Sequence, residues 1–181
     1  MVEATEPRNE FRENVHGLTL LECLIAIALS AIIFFSSVMA YRQLVERHEL
    51  TTLVDHLMSA LQYARYTAMT TQATITFCPK GKNDQCGTHW QAGQLIMDQK
   101  SQHVFRELPP MPKNECLFWR STLGESNALR WRADGFTRGQ QGSFFIESKK
   151  KSQTLFAKII ILRTGRLRSE VGRWGSVIGC R

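Results

Sequence analysis

Arg166 and Arg168 stand two residues apart, behind Gly165 and on either side of Leu167. Guanidinium forks match phosphate oxygens in both geometry and charge, so this spacing suits phosphate recognition. In an extended chain the two side chains fall on one side, with Cα atoms about 6–7 Å apart, a distance suited to neighbouring phosphates of a polyanion. Leu167 then turns inward, and Gly165 permits a sharp turn and a close backbone approach. Arg163, Lys158, Arg173 and Arg181 widen the positive track. From Lys149 to Arg181 there are nine basic residues and one acid, Glu170, a net charge of +8. The whole chain carries +7 over 181 residues, so the excess sits in its last fifth. Charge alone supports two readings, a polyanionic partner or a solvated basic edge that discourages strand pairing.

A second chemical feature is Glu22, the one charge in an apolar run from Leu18 to Tyr41. A run of roughly 20 apolar residues is long enough to cross a bilayer as a helix. A carboxylate inside such a run is costly, which marks it as a functional position. Five cysteines are present. Cys23 lies in the apolar run and reads as a small apolar residue. Cys78 and Cys86 bracket the polar, turn-rich Pro-Lys-Gly-Lys-Asn-Asp-Gln, a loop that a disulfide would close, leaving Cys116 for Cys180. Four cysteines allow three connectivities, and sequence does not choose among them. The spacing of Cys78 and Cys86 is not that of a zinc knuckle. His48 and His56 lack a third ligand nearby, and His89 and His103 are isolated. No metal, cofactor or catalytic set is therefore assigned. There is no nucleophile elbow, His-Glu-x-x-His, phosphate loop or paired acids, and an enzyme is not expected.

These residues need elements to position them. Leu50, Leu53, Val54, Leu57, Met58, Leu61, Ala64 and Ala68 recur at three- and four-residue steps, with Glu46, Arg47, Glu49, Asp55, Gln62 and Arg65 between them. That pattern predicts an amphipathic helix. No Pro or Gly interrupts residues 18 to 70, so one long helix is expected, with residues 18–41 in lipid and 42–71 packed on a domain. From residue 72 onward a β-rich domain is predicted. Its strand candidates are 73–78, 89–97, 103–108, 117–121, 128–133, 143–148 and 155–162, separated by Lys80-Gly81, Pro109-Pro110, Asp134-Gly135 and the glycines 139 to 142. The fold class is α+β, a helix against antiparallel sheets. Lys149-Lys150-Lys151-Ser152 reads as a hairpin loop. Gly172, Gly175 and Gly179 predict a loose tail after Gly165 unless Cys180 tethers it. Trp174 reads either as a packing residue or as a stacking surface.

Gly17-Leu18-Thr19-Leu20-Leu21-Glu22 ahead of that apolar run resembles the type IV prepilin signature. The resemblance implies a leader over residues 1–17, cleavage by a prepilin peptidase between Gly17 and Leu18, methylation of Leu18, and Glu22 as the glutamate that guides assembly. The leader is acidic, with a net charge of −2 and His16 before the Gly, where such leaders are usually basic. Thr76-Phe77-Cys78-Pro79, Cys86, Trp90, Gly93 and Ile96-Met97-Asp98 resemble the minor-pilin class that includes FimT and the secretion pseudopilin GspH. Leu129-Arg130-Trp131, Asp134-Gly135 and Ile159 to Leu162 ahead of Gly165-Arg166-Leu167-Arg168 continue the match. The class implies a long N-terminal helix under a two-sheet head, an inner-membrane anchor with a periplasmic head, and later residence in a pilus with major and minor pilins. In its DNA-uptake branch, Gly-Arg-x-Arg is associated with DNA binding during natural transformation. The resemblance therefore implies sequence-independent DNA binding. The alternative it also carries is a structural or priming subunit of a pilus or type II secretion system, without DNA.

Overall fold

The computed structural model describes residues 19–122, 127–148 and 155–173. The chain divides between Gln43 and Leu44 into two units. Helix α1 (Leu20–Thr71) runs through both. Thr19 caps its start: the Glu22 backbone N–H donates to Thr19 Oγ1 at 3.3 Å, which satisfies one of the helix's orphan donors. A Thr followed three residues later by Glu is also the capping-box pattern. The helix ends where Gln72 takes a left-handed φ of 53°.

In the first unit the side chains of Leu21, Ile25, Ile32, Phe35 and Met39 are exposed. This stretch is long and apolar enough to cross a membrane, with a mean hydropathy of 2.5. Two of its hydroxyls bond to carbonyls of the helix itself. Ser30 Oγ donates to Ala26 O at 2.7 Å, and Ser36 Oγ to Ile33 O at 2.8 Å.

The second unit holds two four-stranded antiparallel sheets among the described residues. Its strands are β1 (Ile75–Pro79), β2 (Gln94–Asp98), β3 (Val104–Leu108), β4 (Glu115–Ser121), β5 (Leu129–Trp131), β6 (Gly142–Ser148), β7 (Leu155–Ile161) and β8 (Leu167–Arg173). The first sheet has the order β3-β2-β1-β5 and the second β4-β6-β7-β8. The stripe of α1 predicted from periodicity is buried at Leu50, Val54, Leu57, Leu61, Ala64 and Ala68. It joins one core with Ile75 and Phe77 of the first sheet and Phe144, Ile146, Ile159 and Ile161 of the second. Phe77 meets Phe144 edge-on at 5.7 Å between ring centroids, tying one sheet to the other.

Two local expectations differ from the structure. Residues 89–97 are not one strand: a short 3-10 turn over Trp90–Ala92 precedes Gly93, whose φ of 107° breaks the extended run. A Cβ at Gly93 would lie 2.8 Å from Leu108 O, so only glycine fits there. The stretch after Gly165 is not a loose tail as far as Arg173. It forms edge strand β8, paired with β7 from Ile161↔Leu167 to Leu155↔Arg173. Glycine at 172 is accommodated because Phe156, its partner on β7, lies over it; a Cβ would meet that ring at 3.0 Å.

Candidate nucleic-acid interface

The β7–β8 hairpin presents the Gly-Arg-x-Arg residues at its turn. Leu162 N–H donates to Arg166 O at 3.0 Å and Gly165 N–H to Leu162 O at 2.8 Å, closing the turn. Gly165 is buried with a φ of 76°, in the left-handed region that glycine enters without a Cβ penalty. Arg166 and Arg168 are both exposed, and Leu167 between them is half-buried against the core. Arg163 is exposed at the opposite shoulder of the turn.

Three contacts hold this turn to the rest of the head. Thr137 donates its backbone N–H at 3.0 Å and its Oγ1 hydroxyl at 3.2 Å to Arg163 O. Gly165 lies against the Gly135 carbonyl, which is also the acceptor for Arg65 Nε of α1 at 3.1 Å. A Cβ at Gly135 would in turn strike Met69 Sδ at 2.7 Å. The turn at Asp134-Gly135, from the loop between the two sheets, is thus wedged between α1 and the hairpin. Arg65 and Thr137 position the arginine-bearing turn, and neither was singled out from sequence. Arg65 looked like any polar residue of an amphipathic helix, and Thr137 carried no motif.

Lys158 lies on the outer face of the second sheet, opposite Glu170. Its Nζ sits 5.7 Å from the centroid of the Phe145 ring. Phe145 stacks on Phe118 at 5.0 Å, and the Arg120 guanidinium lies 5.9 Å from the Phe118 ring. Cation–π contact therefore orders two basic side chains on that face. Strand pairing places Arg168 opposite Ile160, so it shares the face with Lys158. Arg173 ends β8, while Arg181 lies outside the described residues, as do Trp174, Lys149-Lys150-Lys151, Gly17 and Leu18. Glu22 is exposed in the first turn of α1.

The Cys78–Cys86 disulfide forms, with Cα atoms 5.5 Å apart. It closes a loop further held by Gly87 N–H donating to Pro79 O at 2.7 Å and Gly81 N–H to Gln85 O at 2.7 Å. Lys80 pairs with Glu107 of β3, and with Asp84 at 3.7 Å. The hydrogen bond to Glu107 raises the Lys80 pKa above its ordinary value. Cys116 is also disulfide-bonded, and its expected partner, Cys180, lies outside the described residues.

No curated protein matches the chain. Among solved structures it is similar to the type IV minor pilin FimU of Pseudomonas aeruginosa strain PAO1, in two crystal forms. The first is 22% identical, covering 69% of this chain and 90% of that one, with a TM-score of 0.55. The second is 20% identical, covering 67% and 92%, with a TM-score of 0.52. These likenesses establish the fold, a long helix packed on two antiparallel sheets. The profile of the family described as Type II transport protein GspH matches residues 53–165, from the packed half of α1 to the glycine of the hairpin turn. That match spans more than half of the sequence, and the chain belongs to the GspH family of pilin-like proteins.

Proposed function

We propose that this protein is a minor pilin that binds DNA without sequence preference through the β7–β8 turn during DNA uptake. The observation that carries the reading is the placement of Arg166 and Arg168, both exposed on a turn whose backbone is fixed by Thr137, Gly135 and Arg65. Fixing the backbone lowers the entropy lost when a phosphate is gripped. Arg163 and Lys158 extend the positive surface, with Arg173 and Arg181 further along the chain. Contacts of this kind read the phosphate backbone and not the bases. Affinity per subunit is then modest, and several subunits in one filament raise it by avidity. On this reading the prepilin peptidase cuts between Gly17 and Leu18, and the apolar helix anchors the protein in the inner membrane until assembly. Glu22 guides that assembly with other major and minor pilins, and the head ends at the cell surface.

A second reading is a structural or priming subunit of a pilus or type II secretion system. One observation favours it: Gly165 is demanded by its packing on Gly135, so the glycine of the motif has a purely architectural reason to be there. Binding of a fluorescein-labelled 30-base-pair duplex by the full chain in zwitterionic detergent separates the two. The DNA-binding reading expects Arg166→Gln with Arg168→Gln to weaken binding by tenfold or more, with circular dichroism unchanged. No binding by the wild type, or equal binding by the variant, would leave the structural role.

A further inference from the structure

Beside the Gly165 turn, between α1 and the start of β8, lies an open notch of about 210 Å³. Gln62, Arg65, Tyr66, Met69, Gly165 and Leu167 line it. Its walls have two characters. Tyr66 is 62% exposed, so most of its ring is open to solvent although it stands on the helix of the head. Met69 adds a polarizable sulfur and Leu167 an apolar side chain. Against these stand cationic groups. Arg65 commits Nε to Gly135 O, and its terminal amino groups remain as donors. Arg166, the residue after Gly165, is exposed next to the notch.

We infer that this notch receives an unpaired nucleobase of single-stranded DNA. The inference rests on the DNA-binding reading above and adds a preference for strand state to it. An aromatic face, a soft apolar floor and adjoining guanidinium groups form the combination that holds single strands, where bases stack on rings while cations track the backbone. Charge complementarity selects this occupant over an apolar peptide: Arg65 lines the notch, and Arg166 is exposed one residue from Gly165 in its wall. The space suits one planar heterocycle. A base within a duplex is already stacked and paired and does not enter without being extruded, which costs a few kcal/mol.

The test compares a fluorescein-labelled 20-nucleotide oligo-dT with a 20-base-pair duplex, titrated into the full chain in zwitterionic detergent at one fixed salt concentration. Wild type, Tyr66→Leu and Tyr66→Phe are measured side by side. Tyr66→Leu is expected to weaken oligo-dT binding about fivefold or more, the lower end for loss of one stacked base. Duplex binding should stay within twofold, and Tyr66→Phe should keep both affinities. Unchanged oligo-dT binding by Tyr66→Leu, an equal loss on both probes, or duplex binding without oligo-dT binding would overturn the notch while leaving the duplex reading standing. Wild-type protein that binds neither probe would overturn both.

Discussion

Gly165 and Gly135 meet backbone to backbone: a Cβ on Gly165 would lie 2.1 Å from the Gly135 carbonyl oxygen, inside any permitted contact. Both residues adopt positive φ, 76° and 74°. The same oxygen accepts the Arg65 Nε–H. One carbonyl therefore joins the helix, the inter-sheet loop and the arginine-bearing hairpin. The glycine of Gly-Arg-x-Arg is thus fixed by packing, while its two arginines are exposed.

Gly165→Ala combines a left-handed backbone penalty with a clash against backbone that has little room to yield. It should destabilise the head by about 2–4 kcal/mol. Gly139→Ala is the internal comparison. Gly139 has the same φ of 74°, but nothing lies within 4 Å of its Cβ position. That variant should lose only the conformational part, about 1–2 kcal/mol. Urea unfolding of the two variants checks the difference, and equal losses would mean that the Gly135 contact is unimportant.

Arg65→Met keeps the aliphatic stem and removes the Nε–H donor. The expected loss is about 1 kcal/mol in stability. DNA affinity should also fall, because the turn under Arg166 loses one anchor. Arg65→Lys should not restore it, since an ammonium does not reproduce the guanidinium's fixed donor geometry. Affinities of the two variants, measured with thermal unfolding alongside, decide whether Arg65 acts by positioning the turn.

Cys78→Ser with Cys86→Ser opens a short loop whose ends are eight residues apart in sequence. The chain-entropy estimate for a loop of this length is about 2–3 kcal/mol. Part of the loop's geometry should survive through Lys80–Glu107 and the Gly87–Pro79 hydrogen bond. Guanidinium unfolding should show a lowered midpoint. An unchanged midpoint would show that the bridge is dispensable for stability.

Asp98 organises the β2–β3 turn. Its carboxylate accepts Lys100 N–H at 2.8 Å and the Ser101 hydroxyl at 2.8 Å. These bonds, the Lys100 backbone bond first, hold the Asp98 pKa below its ordinary value. A carboxyl with a depressed folded pKa stabilises the fold in full above the unfolded value of about 3.9. That contribution fades as pH falls below it and through the folded pKa. Solvent screening at this partly exposed turn keeps the effect near about 1 kcal/mol. Asp98→Asn should therefore be less stable than wild type at pH 7, and the gap should narrow toward pH 3 in urea titrations.

The helix and most strands were legible because their signals are periodic and local. The apolar stripe from Leu50 to Ala68 faces the core as its spacing predicts, and the turn glycines separate strands where expected. Strand β8 was less so. Arg168, Ser169, Glu170 and Gly172 lack the alternation of a half-buried strand because an edge strand has only one neighbour to pack against. The exposed pair and half-buried Leu167 follow from simple alternation once the chain is extended. The supports of the turn were not legible. Arg65 lies 70 residues before Gly135, and Thr137 lies 26 before Arg163, so only the folded chain brings them together. Glu22 stood out in the sequence as the one charge of an apolar run, and its relation to Thr19 did not. The structure adds that its backbone N–H also closes the helix cap.

The measurement that bears most directly on DNA capture is the salt dependence of duplex binding by the full chain. About 4–6 phosphate contacts give a log–log slope of roughly −4 to −5. Replacing Arg166 and Arg168 together with Gln should flatten that slope by about 2, one unit of contact for each lost guanidinium. A wild-type slope near zero, or a slope that the double substitution leaves unchanged, would contradict phosphate binding at this turn and return the protein to a purely structural place in its filament.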